Sequence, residues 1–364
     1  MESNILFLCH YPAVYGGNFI PTLLALEEKL SQRNIRYIYC FPREAADRDW
    51  FRLLEGMGKE ILTMDLSQGR RVVAKEVQAL CRRYHVGILY AHFVDERLLS
   101  LLSWQNPRLR IFNHMHSDFS GGGAVSPVRR IKHFLLYHVL LGRVQGISVG
   151  QDLVSLNPRK IVYVPNALAE NRLPCTQESR EEMRTAAGVA PEERLIELYG
   201  WSPEIKGVDI AVKAAKLLNR QGMPVKLALV CGPDPEQTKA WIRTHTDCTG
   251  EEDFLVYWKP REDVFSFHRA ADLLLSASRS EGFSYSLLEM LSLGKPCVIS
   301  DIPGTRWAAE YPIVRSFATE DPEDCAQALK AAMTLSPDPQ TAQSIHSQYS
   351  MDAWTDAVIS LLGV

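Results

Sequence analysis

The stretch Ala271-Asp272-Leu273-Leu274-Leu275-Ser276-Ala277-Ser278-Arg279-Ser280-Glu281-Gly282-Phe283-Ser284-Tyr285-Ser286-Leu287-Leu288-Glu289-Met290 decides how the chain is read. Its first part, 273–276, is a short apolar run without polar alternation, the pattern of a strand covered on both faces in a parallel sheet. A polar loop follows, and from Ser284 apolar residues recur at helical spacing. Gly282 breaks the segment, so Glu281 belongs to the loop above the strand and Glu289 to the second helical turn. Two carboxylates then bracket a helix N-terminus, whose N–H groups and dipole favour an anion such as phosphate. Carboxylates beside a phosphate repel it unless they accept hydrogen bonds from neutral hydroxyls. A ligand with phosphate in the middle and polyols on both sides, a nucleotide sugar, meets both demands. The bland alternative is a helix with one capping and one solvated glutamate.

Outward from this segment the strand–helix rhythm repeats. Before it, 195–199, 225–231 and 254–257 read as strands, and 296–300 follows; helical stretches cover 206–221, 235–245, 261–269 and 284–293. The first half carries strands at 5–9, 35–41, 60–64, 87–92, 109–113 and 144–149, with helical stretches around 20–32, 69–84 and 126–141. This alternation predicts an α/β protein of two doubly wound, mostly parallel sheets. We expect domains at 1–169 and 170–350 with a polar seam near 166–191, and a helix in 351–364 packing back toward the N-terminal domain. Ligands of open parallel sheets bind beyond the carboxyl ends of the strands, so an interdomain cleft is expected.

The 364 residues are 46% hydrophobic and 23% charged, ordinary for a globular chain and unlike a disordered or fibrous one. No run approaches the roughly 20 apolar residues of a membrane span, and the first residues lack the pattern of a signal peptide. The eight cysteines include no Cys-x-x-Cys, which removes zinc-ribbon and thioredoxin-like readings; reduced core thiols point to a cytoplasmic setting. A net charge of −3 hides an imbalance: 23 Lys/Arg against 16 Asp/Glu over 1–180, but 17 against 27 over 181–364. The basic half suggests an anionic membrane or acceptor, or only surface drift.

Glu281-Gly282-Phe283 through Glu289, followed by Gly294-Lys295-Pro296-Cys297-Val298, resembles the E-x7-E signature of the family-four retaining glycosyltransferases of GT-B fold. Gly200-Trp201 with Lys206-Gly207-Val208-Asp209, Val164-Pro165-Asn166-Ala167, the Gly16-Gly17 loop and Asp301-Ile302-Pro303-Gly304-Thr305 resemble further family segments in family order. The resemblance implies two Rossmann-like domains and a metal-independent transfer of a sugar from a UDP-type donor to a hydroxyl of a glycan or lipid-linked glycan, in polysaccharide biosynthesis. It implies that Glu281 orients the donor sugar, Glu289 holds the ribose and Lys206 neutralises the diphosphate. Backbone amides of Gly282, Phe283 and Ser284 would cradle the phosphates, with Gly200, Trp201, Arg279 and Asn166 completing the donor side. No metal or other cofactor and no nucleic-acid partner is implied. Trp201 departs from the arginine usual in the family, and an indole supplies no cationic clamp. Arg279 or Arg261 compensates, or the site relies on Lys206 and the helix dipole. An epimerase of the same fold, or a non-catalytic partner subunit, are the alternative readings.

In the first half, Asn113-His114-Met115-His116 follows a strand. The resemblance makes His116 the histidine near the reacting carbon, with His114 and His92 as further cleft candidates and Gly16 and Gly17 as an acceptor or phosphate loop. A metal on this His-x-His is disfavoured, because no cysteine or carboxylate stands at a supporting spacing. The segment 126–143 combines Arg129, Arg130, Lys132 and Arg143 with apolar residues. It reads either as a helix on an anionic membrane, at the inner face of the plasma membrane, or as a core helix with a solvated basic end.

Overall fold

Apolar runs become central strands here because helices cover both faces of each sheet, so neither face calls for polar residues. The computed structural model describes residues 4–116, 127–169 and 178–364. Residues 170–177 of the expected seam, Ser117 and Asp118 after the histidines, and Ser126 lie outside the described residues.

The chain divides into two units, 1–173 with 351–364, and 174–350. In the first, β1 (Asn4–Cys9), β2 (Tyr37–Pro42), β3 (Ile61–Met64), β4 (Val86–His92), β5 (Arg110–Met115), β6 (Val144–Ser148) and β7 (Ile161–Tyr163) form a parallel sheet ordered β3-β2-β1-β4-β5-β6-β7. Alternation sends Ile5, Phe7 and Cys9 into one core layer and Leu6 and Leu8 into the other. The helix Met351–Leu362 belongs to this unit. It buries Trp354, Val358, Ile359 and Leu362 in the first of these layers, and Lys29 donates to the Asp352 carbonyl and to Asp356.

In the second unit, β8 (Arg194–Tyr199), β9 (Val225–Val230), β10 (Leu255–Trp258), β11 (Leu273–Ser276), β12 (Cys297–Ser300) and β13 (Val314–Phe317) are also parallel, ordered β10-β9-β8-β11-β12-β13. Strand order reverses between β1 and β4 in one sheet and between β8 and β11 in the other. At such a reversal the outgoing loops diverge and leave a crevice at the carboxyl ends. Both crevices collect residues that the sequence reading selected.

Several features depart from that reading. Edge strand β7 is only three residues long and edge strand β13 carries Arg315 and Ser316 between its apolar ends, so periodicity marks neither. The expected helix over 126–141 is an α-helix at Pro127–Leu135 continued by a π turn, in which the Leu141 N–H donates to the Leu136 carbonyl at 2.7 Å. The helix expected from 206 begins only at Val208, after Gly207 in the left-handed region, which leaves Lys206 in a turn.

Candidate active site

The loop after β8 and the loop after β11 touch through glycine. A Cβ on Gly207 would lie 2.0 Å from the Ala277 carbonyl oxygen, so only glycine lets these two loops meet. The contact sets Lys206 above the end of β11, where its ammonium pairs with Glu281. Ser278 Oγ donates to the same Glu281 oxygen at 2.8 Å. From the other side, a Cβ on Gly304 would fall 1.9 Å from the Glu281 carbonyl oxygen. Gly304→Ala should therefore displace the Glu281 peptide and lower turnover about tenfold per folded molecule; turnover equal to wild type, with folding checked by circular dichroism, would show that Glu281 has room to spare.

Glu281 and Lys206 are thus brought together, and Gly282, Phe283 and Ser284 lead directly into the helix Tyr285–Ser292. The Phe283 ring stacks on Trp307 at 4.5 Å, which anchors the loop through its side chain. Ser284 holds the N-cap position but makes no side-chain cap bond to the helix. Gly200 packs against Val208 below, and Trp201 is 66% exposed beside it.

Glu289 is held from beneath by a group that the sequence reading missed. His268 Nε2 lies 2.9 Å from Glu289 Oε2, and His268 Nδ1 lies 2.9 Å from Glu197 Oε2. Glu197 and His268 are fully buried and Glu289 is 3% exposed. Burial opposes a charge on this histidine, yet Glu197 and Glu289 override it and push its pKa up to about 9. The available signal was Glu197 itself, one carboxylate in the apolar run Leu195-Ile196-Glu197-Leu198, where an unpaired charge would be costly.

Of the two arginines offered as a substitute for the one missing at Trp201, Arg279 has no donor to spare. All five N–H donors of Arg279 are committed, to Asp209, Glu320 and the Glu204 carbonyl. Arg261 pairs with Glu178 at 3.0 Å and lies over the Phe267 ring. Arg279 instead ties the 204–209 turn to its own loop. What the loops leave for an anion is Lys206 and the helix N-terminus.

In the first unit, strand register brings the histidines together. His92 pairs with His114 across β4 and β5, and His116 follows two residues later on the same side. His92 Nδ1 is 3.0 Å from His116 Nε2, and Tyr90 Oη is 2.6 Å from His114 Nδ1. Burial drives all three below the ordinary histidine range, His116 to about 3, so they stand neutral near pH 7. One ligand atom from each lies within 4.8 Å of the others, so the trio could hold a metal ion. However, the His114 and His116 rings stack at 10°, so their in-plane lone pairs run side by side and a shared ion would require the rings to turn. A cavity of about 900 Å³ opens beside His114 and His116, with Lys132, Phe93 and Leu136 in its wall. After β1, Gly17 takes a positive φ of 54° and Tyr11 Oη donates to the Tyr15 and Gly16 carbonyls. Asn166 is buried beyond β7 in the same unit.

The architecture is shared with solved proteins. The chain superposes on the Anabaena protein HepE, crystallised with UDP, with a TM-score of 0.76 at 16% identity over 99% of both chains. It superposes equally well on a glycosyltransferase from Rickettsia africae, at 14% identity over 99% of this chain and 98% of that one. The fold is GT-B. Residues 196–334, within the second GT-B unit, match the family model described as glycosyl transferases group 1. A D-inositol 3-phosphate glycosyltransferase of Corynebacterium urealyticum is 29% identical over 194 residues, 51% of this chain and 45% of that protein. The corresponding Nocardia farcinica enzyme is 29% identical over 160 residues. The aligned part thus spans about half or less of the length of these relatives.

Proposed function

We propose that this protein is a retaining glycosyltransferase. It moves a sugar from a UDP-linked donor to a hydroxyl of a glycan or lipid-linked glycan, in cell-surface polysaccharide synthesis. The observation that carries the reading is the Lys206–Glu281 pair, set by Gly207 at the carboxyl ends of β8 and β11 beside a helix N-terminus. Support comes from the family match of this unit and from HepE, whose structures hold UDP and UDP-glucose.

In this scheme the bond from the anomeric carbon to the β-phosphate oxygen breaks while the acceptor oxygen bonds to the same face. The departing phosphate takes the acceptor proton. Lys206 and the helix N–H groups stabilise the growing charge, the electrostatic role that metal ions serve elsewhere. Glu281 accepts from sugar hydroxyls and Glu289 from the ribose diol. His116 stands neutral in the first unit, able to hydrogen-bond a hydroxyl but not to act as a charged acid. The test is UDP release from a panel of UDP-sugars with glycan acceptors in EDTA, with product stereochemistry read by proton NMR. Release with an inverted anomer, or none with any donor that binds, would overturn the reading.

A membrane-bound acceptor is supported by the segment 127–143, which has basic residues and no acidic one. Val128, Ile131, Phe134, Leu135 and Val139 are each at least half exposed. No helix among the described residues is long and apolar enough to cross a membrane. In this reading the protein docks on anionic lipid at the cytoplasmic face. The protein should co-sediment with vesicles containing phosphatidylglycerol but not with pure phosphatidylcholine, and Ile131→Glu with Phe134→Glu should weaken binding at least tenfold; equal binding to both vesicles would argue against the docking.

A further inference from the structure

Beneath Glu289 lie two buried groups that the proposed chemistry does not use. Three elements meet there: β8 supplies Glu197, the helix Val264–Ala270 supplies His268, and the helix Tyr285–Ser292 supplies Glu289. Each imidazole nitrogen lies 2.9 Å from a carboxylate oxygen; Glu197 and His268 are sealed from water, and Glu289 keeps 3% exposure. An imidazole between two carboxylates can donate to both only when doubly protonated. Purely as a stabilising element such a group is a weak choice, since an apolar trio of similar volume would avoid the desolvation cost. It has one property that an apolar trio lacks: it fixes the charge and rotation of the Glu289 carboxylate.

We propose that His268, backed by Glu197, is a positioning residue that holds Glu289 ionised and oriented to accept the vicinal hydroxyls of the donor ribose. This inference rests on the donor-site reading above and adds to it a support for one of its carboxylates. His268 makes no contact with the sugar and does not act on the bond that breaks. Its effect falls on donor binding, because the ribose lies away from the reacting carbon and is held alike before and during transfer.

Among the described residues, the charged and titratable groups around His268 and its partners include Glu197 and Tyr199 from β8, Glu289 from its helix, Cys297 from β12, whose thiol burial holds protonated, and Lys295, whose ammonium donates to the His268 carbonyl. Lys295 is pushed down to about 8 by burial and so titrates in the same region. Lys295→Arg keeps the charge and removes that titration.

The test compares KM and kcat for UDP-glucose, or for whichever UDP-sugar the panel selects, across pH 6.5 to 10 in a Lys295→Arg background. KM should be level near neutrality and climb above about pH 9, while kcat changes little. His268→Gln, which carries no charge and has both its N–H donors on a single nitrogen, should raise KM at least tenfold at pH 7 and leave kcat within about threefold. Glu197→Gln retains the imidazole and should move the climb in KM to lower pH, which a merely structural role would not do. That variant decides the matter if His268→Gln does not fold. A pH-independent KM, or a Glu197→Gln profile superimposable on its parent, would overturn the proposal. Glu289→Ala separates the two levels. If it raises KM while the His268 and Glu197 variants do not, the donor site stands and the positioning role falls. If Glu289→Ala leaves KM unchanged, the donor-site reading itself fails.

Discussion

Lys206→Ala should lower turnover by about 10² to 10³, as expected when one preorganised cation facing developing charge is removed. Two losses combine in this variant. The leaving diphosphate forfeits its ammonium, and Glu281 keeps the Ser278 hydroxyl but loses its cation, so an uncompensated carboxylate faces an anion. Glu281→Ala removes the contact to the sugar but relieves that repulsion, and should cost about 10². Because the two side chains form one unit, the double variant should fall well short of the product of the single effects. Steady-state kinetics on the four proteins completes the cycle. Fully multiplicative losses would mean that the pair does not act together, and rates near wild type in either single variant would remove the residues from the chemistry.

Lowering the pH from 7.5 to 5.5 should destabilise the first unit by about 4 kcal/mol. His92, His114 and His116 are buried and all are driven below the usual pKa near 6.5, so the folded unit keeps them neutral while the unfolded chain takes up protons. A base with a depressed folded pKa contributes stability that is present above its unfolded value and lost as the pH falls below it. His268 has the opposite sign. Its folded pKa near 9 contributes stability that is complete below 6.5 and lost as the pH rises toward 9. Lys295, depressed to about 8, works against that loss above pH 8, so the window that isolates His268 is 6.5 to 8. Denaturant titrations should therefore show the first unit weakening toward acid and the second toward base. In a variant that keeps only Trp50 and Trp354 of the seven tryptophans, both in the first unit's core, fluorescence reports on that unit. A denaturation midpoint for them that stays level down to pH 5.5 would show that the histidines are not buried neutral.

Much of this architecture was legible because parallel sheets write themselves as apolar runs. Leu273–Ser276 was read with its observed bounds, and most other central strands within one or two residues. What escaped has physical reasons. Helices Glu96–Gln105, Pro322–Ala332 and Pro339–Gln348 announce themselves by aspartate caps at Asp95, Asp321 and Asp338 rather than by a strong apolar stripe. At the site, Lys206 and Glu281 were chosen separately, and their pairing depends on a close approach of two loops that spacing along the chain does not encode. His268 was invisible for the same reason, since its partners lie 71 and 21 residues away on two other elements. Arg279 was chosen for its charge, and only its neighbours reveal that every donor is already engaged.

The return of helix Met351–Leu362 to the first unit bears on how the protein is made. During synthesis from the N-terminus, β1 to β7 emerge early but lack the apolar cover that Trp354, Val358 and Ile359 provide over their core. The second unit, contiguous from 174 to 350, has all its parts before that cover is translated. The order of maturation on the ribosome is thereby inverted: the part begun first is closed last. A nascent chain stalled short of residue 351 would present a finished donor-side unit joined to an unsealed one, the state in which chaperones would find most to bind.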